Sequence, residues 1–577
     1  MGCDFIIQLS RLRKSSAESV ENTRSFESFK EYLHVERPVE VELRDLLRQA
    51  NTKQGKCLIL LCGSAGDGKS HLISYLKNSE GEGLLDDYET YNDATESSGP
   101  TLTSIDTLSE RLAAFNDDNY LVDDGKKMIV AINLGTLNNF IESDKGKNFS
   151  KLKEYVEDNG IFSGFAQSST YVEKSVFQHV SFSDYQVFAL GENGVETTFL
   201  ENLLSKIFNQ SEENPFYQAY IADSSCSMCK RCPVRHNYEF LSDPKNQKAL
   251  IDRIVEVVIK DKAIVSTREV LNLLYDIVVP PDFDSQRINV GPSDMKYLMD
   301  YVNWTTPMLL DEFEDISPIL NSIRKHDILK IRSDMSDTAA TRFHSLENIN
   351  DVFSLATQGT PYQILNDLTE VSVLGGIKIE LKKIIYRFIV RLNALKNGHD
   401  DKTQHRLNDF IRFLYYQNSG NEKKLAELYI ATKKAVLGWD GQFGDDRICI
   451  DDTNDQVWIV EELQLKPAIN KNAVLISGSI QRFSPTLNLR FKKDDTETVE
   501  INIDFALYEL ISDMKEGYRP TVQDKNRHAD FVSFVQKLIN FGNKSNRIIL
   551  VPKEGNKDYK MIFEENDFGF EFKVVYK

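Results

Sequence analysis

The residues best suited to chemistry are Gly63, Ser64, Ala65, Gly66, Asp67, Gly68, Lys69 and Ser70, which fit the pattern G-x-x-x-x-G-K-S/T. Glycines at 63, 66 and 68 let the backbone curl until successive N–H groups point at phosphate oxygens. Lys69 then neutralises β and γ charge, and Ser70 offers its hydroxyl to Mg²⁺. The helix that starts here and carries His71 adds the positive end of its dipole. The set Gly63 to His71 is therefore the candidate site for a nucleoside triphosphate. The nearest match to the guanine-reading N-K-x-D, Asn543-Lys544-Ser545-Asn546, ends in Asn and lies far along the chain, so ATP is expected rather than GTP.

Hydrolysis needs an acid at the tip of a second apolar strand, to hold the metal's water shell and align the attacking water. The best-formed strand, Met128-Ile129-Val130-Ala131-Ile132, runs into Asn133, which can accept a hydrogen bond from a metal-bound water but carries no charge. Asp93, after a poorer strand, supplies a carboxylate, with Glu96 close behind. Both Asn133 and Asp93 stay open as candidates. Arg268, in the first turn of a later helix, has the charge and reach to sense a γ-phosphate, and Arg324, Arg332 and Arg342 are lesser candidates for a trans-acting finger.

Cys226, Cys229, Cys232 and His236 place four soft ligands within one short segment, with Lys230, Arg231 and Arg235 to offset thiolate charge. A tetrahedral Zn²⁺ fits this set. The spacing also resembles the C-x2-C-x2-C-x3-C-P run of iron–sulfur proteins, with Pro after the third Cys and His in place of the fourth, and metal-free cysteines are the third reading.

These groups need a frame to hold them. From Lys56 onward short apolar strands alternate with amphipathic helices: Cys57 to Cys62, Ser70 to Leu76, a strand near Tyr91, Ile105 to Phe115, and Met128 to Leu134. A later strand is expected at Gln186 to Leu190 and a helix at Phe199 to Phe208. Such alternation predicts a parallel sheet flanked by helices. The spacing of Ser266 and Glu269 predicts a capping box and a helix running to the break at Pro280-Pro281. The expected fold is an α/β P-loop NTPase of AAA-like type, followed by a helical domain and a C-terminal α+β domain. The expected divisions are residues 1–49, an N-terminal helical adaptor; 50–280, the ATPase core with the cysteine insertion and a helical lid; 281–437, helical; and 438–577, α+β with strands such as Val457 to Val460 and Ala473 to Ile476.

The bulk properties agree with an ordinary globular chain. The 577 residues are 41% hydrophobic and 27% charged, and the formal net charge of -19 repels nucleic acid, so a DNA contact has to come from a local patch or a partner. No apolar run approaches the ~20 residues that span a bilayer, and the start lacks a secretory or myristoylation pattern, so a cytoplasmic protein with no membrane contact is expected. Asp567, Glu571 and Lys573 superficially match a nuclease D…E-x-K pattern, but the gap is too short for carboxylates converging from separate strands.

Several segments together resemble a known family: Glu31 to Pro38, Gly63 to Leu72, Asn92 to Ser97, Ala131 to Gly135, Cys232 to Val234 and Arg268 to Asn272. The set is similar to the F subunit of bacterial phosphorothioation-dependent restriction systems of the Dpt (or Dnd) type, most strongly over residues 30 to 280. The resemblance implies an ATP-binding subunit that works beside G and H subunits in a complex attacking DNA that lacks a backbone sulfur mark. DNA contact would then come through the complex. The alternatives are a nucleotide-gated scaffold that binds ATP without appreciable hydrolysis, or a generic signalling or chaperone-like ATPase.

Overall fold

The computed structural model describes residues 3–14, 24–53, 55–78, 83–92, 103–122, 124–162, 171–182, 185–223, 226, 228–284, 295–310, 317–330, 334–366, 374–397, 402–441, 443–444, 446–451, 453–470, 475–492, 497–541, 547–553 and 559–576. The chain divides into two compact units. The first comprises Met1–Ala189 and Thr197–Asp401, and the second comprises Leu190–Glu196 and Lys402–Lys577.

The first unit opens with three helices, α1 (Asp4–Lys14), α2 (Arg24–Leu33) and α3 (Pro38–Asn51). Pro38 occupies the first turn of α3, where its missing N–H leaves no bond unmade. There follow β1 (Cys57–Cys62), α4 (Lys69–Asn78), β2 (Tyr88–Tyr91), α5 (Ser104–Arg111), β3 (Lys127–Ile132), α6 (Leu134–Ile141), α7 (Ser150–Asp158) and β4 (Phe177–Ser181). The four strands form one sheet in the order β2-β3-β1-β4, with every pairing parallel. All six residues of β1 are buried, the mark of a strand covered on both faces.

Alternation along β1 and β3 builds a core on each side. Leu58, Leu60, Met128 and Val130 pack against Leu108 of α5, Leu137 and Phe140 of α6 and Leu152 of α7. Ile59, Leu61, Ile129 and Ala131 pack against Leu43 and Leu47 of α3 and Leu72, Ile73 and Leu76 of α4. Thus the helix leaving β1 and the helix leaving the neighbouring β3 lie on opposite faces. In parallel sheets that reversal opens a crevice beyond the carboxyl ends of the two strands, where ligands bind. The segments at its edges are the loop after Cys62 and Asn133.

The fourth strand was not anticipated in the sequence reading. It is Phe177–Ser181, wholly buried although Gln178, His179 and Ser181 are polar. Gln178 satisfies itself against the backbone of Val172 and Ser175, and His179 Nδ1 meets the Tyr155 hydroxyl at 2.9 Å. That polarity hides the strand from a hydropathy pattern. The later strand expected at Gln186 to Leu190 is found shorter and shifted, as Ala189–Gly191, which pairs with Gly194–Glu196 in a small two-stranded sheet.

Helices α8 (Thr198–Phe208), α9 (Pro215–Ala222), α10 (Pro233–Leu241), α11 (Pro244–Asp261) and α12 (Thr267–Val278) continue the first unit, and further helices up to Ile379–Asn397 complete it. The capping box at the start of α12 is formed. Glu269 N–H donates to Ser266 Oγ at 3.3 Å, and Ser266 N–H donates to Glu269 Oε2 at 2.8 Å.

The second unit holds helices that include Lys402–Asn418, Ala426–Leu437, Phe505–Lys515 and Ala529–Ile539, together with antiparallel sheets. One sheet has three strands. The other has five, in the spatial order Gly569–Tyr576, Tyr559–Asn566, Arg547–Pro552, Val457–Glu462 and Arg447–Asp451. Of the strand expected at Ala473 to Ile476, residues 473 and 474 lie outside the described residues. Leu475 and Ile476 are exposed and lie outside any strand.

Candidate functional site

The loop between β1 and α4 takes the curled form that its glycines allow. Gly66 has φ +89° and Gly68 φ +100°, left-handed values that a side chain would strain. Lys69 begins α4, and its ammonium donates to the carbonyls of Gly63 (3.0 Å) and Ser64 (2.6 Å), folding it back across the loop. Asp67 Oδ2 accepts the Ser64 N–H at 2.5 Å. Burial raises the Asp67 pKa, while Lys69, the Ser64 N–H and Arg37 oppose the rise.

Ser70 Oγ donates to the Asn92 carbonyl at 2.7 Å. This bond brings the carboxyl end of β2 to the first turn of α4, although β3 separates β2 from β1 in the sheet. A serine hydroxyl and a peptide carbonyl are hard oxygen donors, the type that Mg²⁺ takes. Asp93 and Glu96, which follow, lie outside the described residues.

Arg268 comes to the loop from α12. Its N–H donates to the Gly66 carbonyl at 3.3 Å. Its side chain covers Gly66 so closely that a Cβ there would stand 2.8 Å from Arg268 Cβ and 3.1 Å from Nε. Arg268 is thus brought against the loop that leads to Lys69 and Ser70, although almost two hundred positions separate them.

Two contacts that the residue pattern did not assign to the site brace the loop from the segment before α3. Arg37 Nη1 donates to the Asp67 carbonyl (3.3 Å) and to Thr267 Oγ1 (3.4 Å), tying the loop to the start of α12. The guanidinium lies against the rings of Phe182 and Phe199, and burial lowers its pKa, an effect that Asp67 opposes. A cation placed immediately before the Pro38 helix start was the available sequence signal.

His71 leans on the same segment rather than on the loop. Its Nε2 lies 3.1 Å from His34 Nδ1, and His34 in turn stacks on Tyr75 at 3.5 Å and faces Glu40 Oε2 at 3.0 Å. Burial pushes the His71 pKa down to about 4, with His34 adding to the fall. A neutral imidazole is therefore built into the first turn of α4.

Asn133 caps α6, and its Oδ1 accepts the Thr136 N–H at 2.6 Å. That oxygen keeps a second lone pair, which can still accept from a metal-bound water, and the amide NH₂ is a donor suited to phosphate oxygen.

Among the other arginines, Arg324 is buried and bonds Asn321 (2.8 Å), Arg342 is exposed on a helix, and Arg332 lies outside the described residues. Lys573 pairs with Glu564 and, at 3.6 Å, with Glu571 on an antiparallel hairpin, an ordinary set of surface ion pairs.

The cysteine segment lies between α9 and α10. Among the described residues, no three His, Cys, Asp or Glu side chains are gathered into a metal-holding group. Cys226, Cys229 and Cys232 are part-exposed and in no disulfide. His236 is buried on α10, with its Nδ1 2.5 Å from the Tyr301 hydroxyl, and burial lowers its pKa to about 4. Among the described residues, no helix is long and apolar enough to cross a membrane.

Comparison with protein-family models, curated proteins and solved structures finds no match for this chain.

Proposed function

We propose that the first unit is a P-loop ATPase of AAA-like type, with the Gly63 to Ser70 loop holding the triphosphate of ATP. The observation that carries this reading is the loop itself: a left-handed turn at Gly66 and Gly68 between a buried parallel strand and a helix start, bordered by Lys69 and Arg268. The loop amides and the α4 dipole supply fixed positive potential. Lys69 exchanges its two carbonyl partners for β and γ oxygens, and Arg268 adds a second cation from α12. Ser70 would be the protein ligand of Mg²⁺, which would supply charge neutralisation to the transferring phosphoryl group.

Asn133 favours a second reading, a nucleotide-gated scaffold. Its side chain is an uncharged amide, so the end of β3 beside β1 brings no group that could act as a base. ATP would then stabilise an assembly and turn over slowly or not at all.

The family resemblance extends the proposal to a role: the ATP-binding subunit of a complex, with G and H subunits, that restricts DNA lacking phosphorothioate. Phosphate release by the reconstituted complex, with and without unmarked DNA, tests both levels. Stimulated release that Lys69→Ala and Arg268→Ala each reduce at least tenfold supports the ATPase. ATP binding with release at background favours the scaffold. Release unchanged in both variants overturns the assignment of this loop.

A further inference from the structure

The five-stranded sheet of the second unit has two unlike edges. At Arg447–Asp451 the pairing slips between Cys449 and Asp451, an irregularity of the kind that closes an edge to further strands. The other edge, Gly569–Tyr576, is regular. It pairs with Tyr559–Asn566 without a shift over its whole length, and it contains no proline. Among the described residues, no strand lies on its far side. Eight residues of backbone are thus left open to a further strand.

The side chains make this opening apolar. Phe570 and Phe572 are 63% and 62% exposed, Val574 is 52% exposed, and the turn before them carries Phe568 at 99%. Alternation puts Phe570, Phe572 and Val574 on one face of the strand. On that face Phe563 of the adjoining strand stacks on Phe570 (5.0 Å) and meets Phe572 (4.6 Å). The aromatic patch therefore spreads over the hairpin and ends at the open edge. Contiguous apolar exposure of this kind marks an interaction surface.

The opposite face carries the charges, and they are unevenly matched. Glu571 stands directly across from Glu564, a like-charge pair that weakens the ladder. Lys573 serves both: it pairs with Glu564 and lies 3.6 Å from Glu571. A lysine on an edge strand ordinarily guards that edge. Here its ammonium is drawn toward Glu564 on the neighbouring strand, so the edge keeps little of that protection.

We propose that this edge docks a second copy of the chain, whose Gly569–Tyr576 strand runs antiparallel to the first about a two-fold axis at Phe572. The charges select that register. With Phe572 opposite Phe572, Glu571 of each copy faces Lys573 of the other, and each copy supplies a further cation to the Glu564–Glu571 pair. Phe570 then faces Val574, and the two aromatic patches join on one face of a sheet with five strands from each copy. Moving the axis by one residue sets Glu571 against Glu571 or Lys573 against Lys573, which the ladder disfavours. The contact is isologous and so closes at two copies. It makes no use of the nucleotide site.

The test is sedimentation velocity on the full chain over a concentration series. The wild type should pass from monomer to dimer. Glu571→Lys and Lys573→Glu should each associate at least about tenfold more weakly, because each turns two opposite-charge pairs into two like-charge pairs. The two variants mixed in equal amounts should regain the wild-type affinity, since every charge in the mixed pair again faces its opposite. Mixing does not restore a lost fold, so this arm separates docking from misfolding. A wild type that stays monomeric throughout, which would leave the surface to a different protein, overturns the proposal. So does a dimer that both variants keep, or a pair of variants that fail to combine.

Discussion

The backbone N–H of Arg268 donates to the carbonyl of Gly66 at 3.3 Å, which fastens the first turn of α12 to the middle of the phosphate loop. The contact fixes what Gly66 can be. Its φ of +89° disfavours any side chain, and Arg268 fills the space that a Cβ would need.

Gly66→Ala is therefore expected to weaken ATP binding more than Gly68→Ala. Both changes strain the backbone by about 1 to 2 kcal/mol, but nothing lies within 4 Å of a Cβ at Gly68, whereas the Gly66 variant must also displace Arg268. Equilibrium binding of a labelled ATP analogue should show about tenfold loss for Gly68→Ala and a clearly larger loss for Gly66→Ala. Equal losses would mean that Arg268 does not constrain the loop.

Asp67 holds the Ser64 N–H that a phosphate oxygen would also seek, and its charge opposes an anion. Asp67→Ala removes both the competition and the repulsion. A gain in ATP affinity of about three- to tenfold is expected, from the 0.5 to 1.5 kcal/mol net worth of one hydrogen bond. A calorimetric titration that finds weaker binding would show that Asp67 instead holds the loop in shape.

His71 makes stability depend on pH. Its folded pKa of about 4 lies below the ordinary histidine value of 6.5. The unfolded chain therefore takes up a proton first as pH falls, and the stabilisation, complete above pH 6.5, is lost between there and pH 4. Between pH 7 and pH 5 the loss should reach about 2 kcal/mol, since each unit is worth about 1.4 kcal/mol. His71→Asn should flatten the fall in melting temperature over that interval. A slope identical to wild type would place the titrating group elsewhere.

The cap at Asn133 separates structure from catalysis. Asn133→Ala should lower stability by about 1 kcal/mol, the usual worth of an N-cap, and Asn133→Asp should restore it. If the NH₂ of Asn133 contributes to turnover, Asn133→Asp will recover the melting temperature but not phosphate release. Recovery of both would show that the capping oxygen alone matters.

How much was legible follows from how each residue acts. Gly63, Gly66, Gly68, Lys69 and Ser70 act through local backbone shape, so their spacing announces the loop, and β1, β3 and the Ser266–Glu269 box were readable for the same reason. Arg268 was readable as a candidate because the capping box placed it in a first helical turn. Its contact with Gly66 was not readable, since it joins segments two hundred residues apart. Arg37 escaped site assignment because it acts across such a distance, through Thr267. The strand Phe177–Ser181 was missed because its buried polar groups are satisfied by Val172, Ser175 and Tyr155, none of which a hydropathy pattern can foresee.

The most direct test of the account is calorimetric titration of Mg–ATP into the purified chain and its Lys69→Ala variant under identical salt. Wild type should bind one ATP per chain, and the variant should bind about 10- to 100-fold more weakly, the 1.5 to 3 kcal/mol carried by hydrogen bonds to a charged group. Unchanged affinity in the variant, or no binding in wild type, would contradict a nucleotide site at this loop.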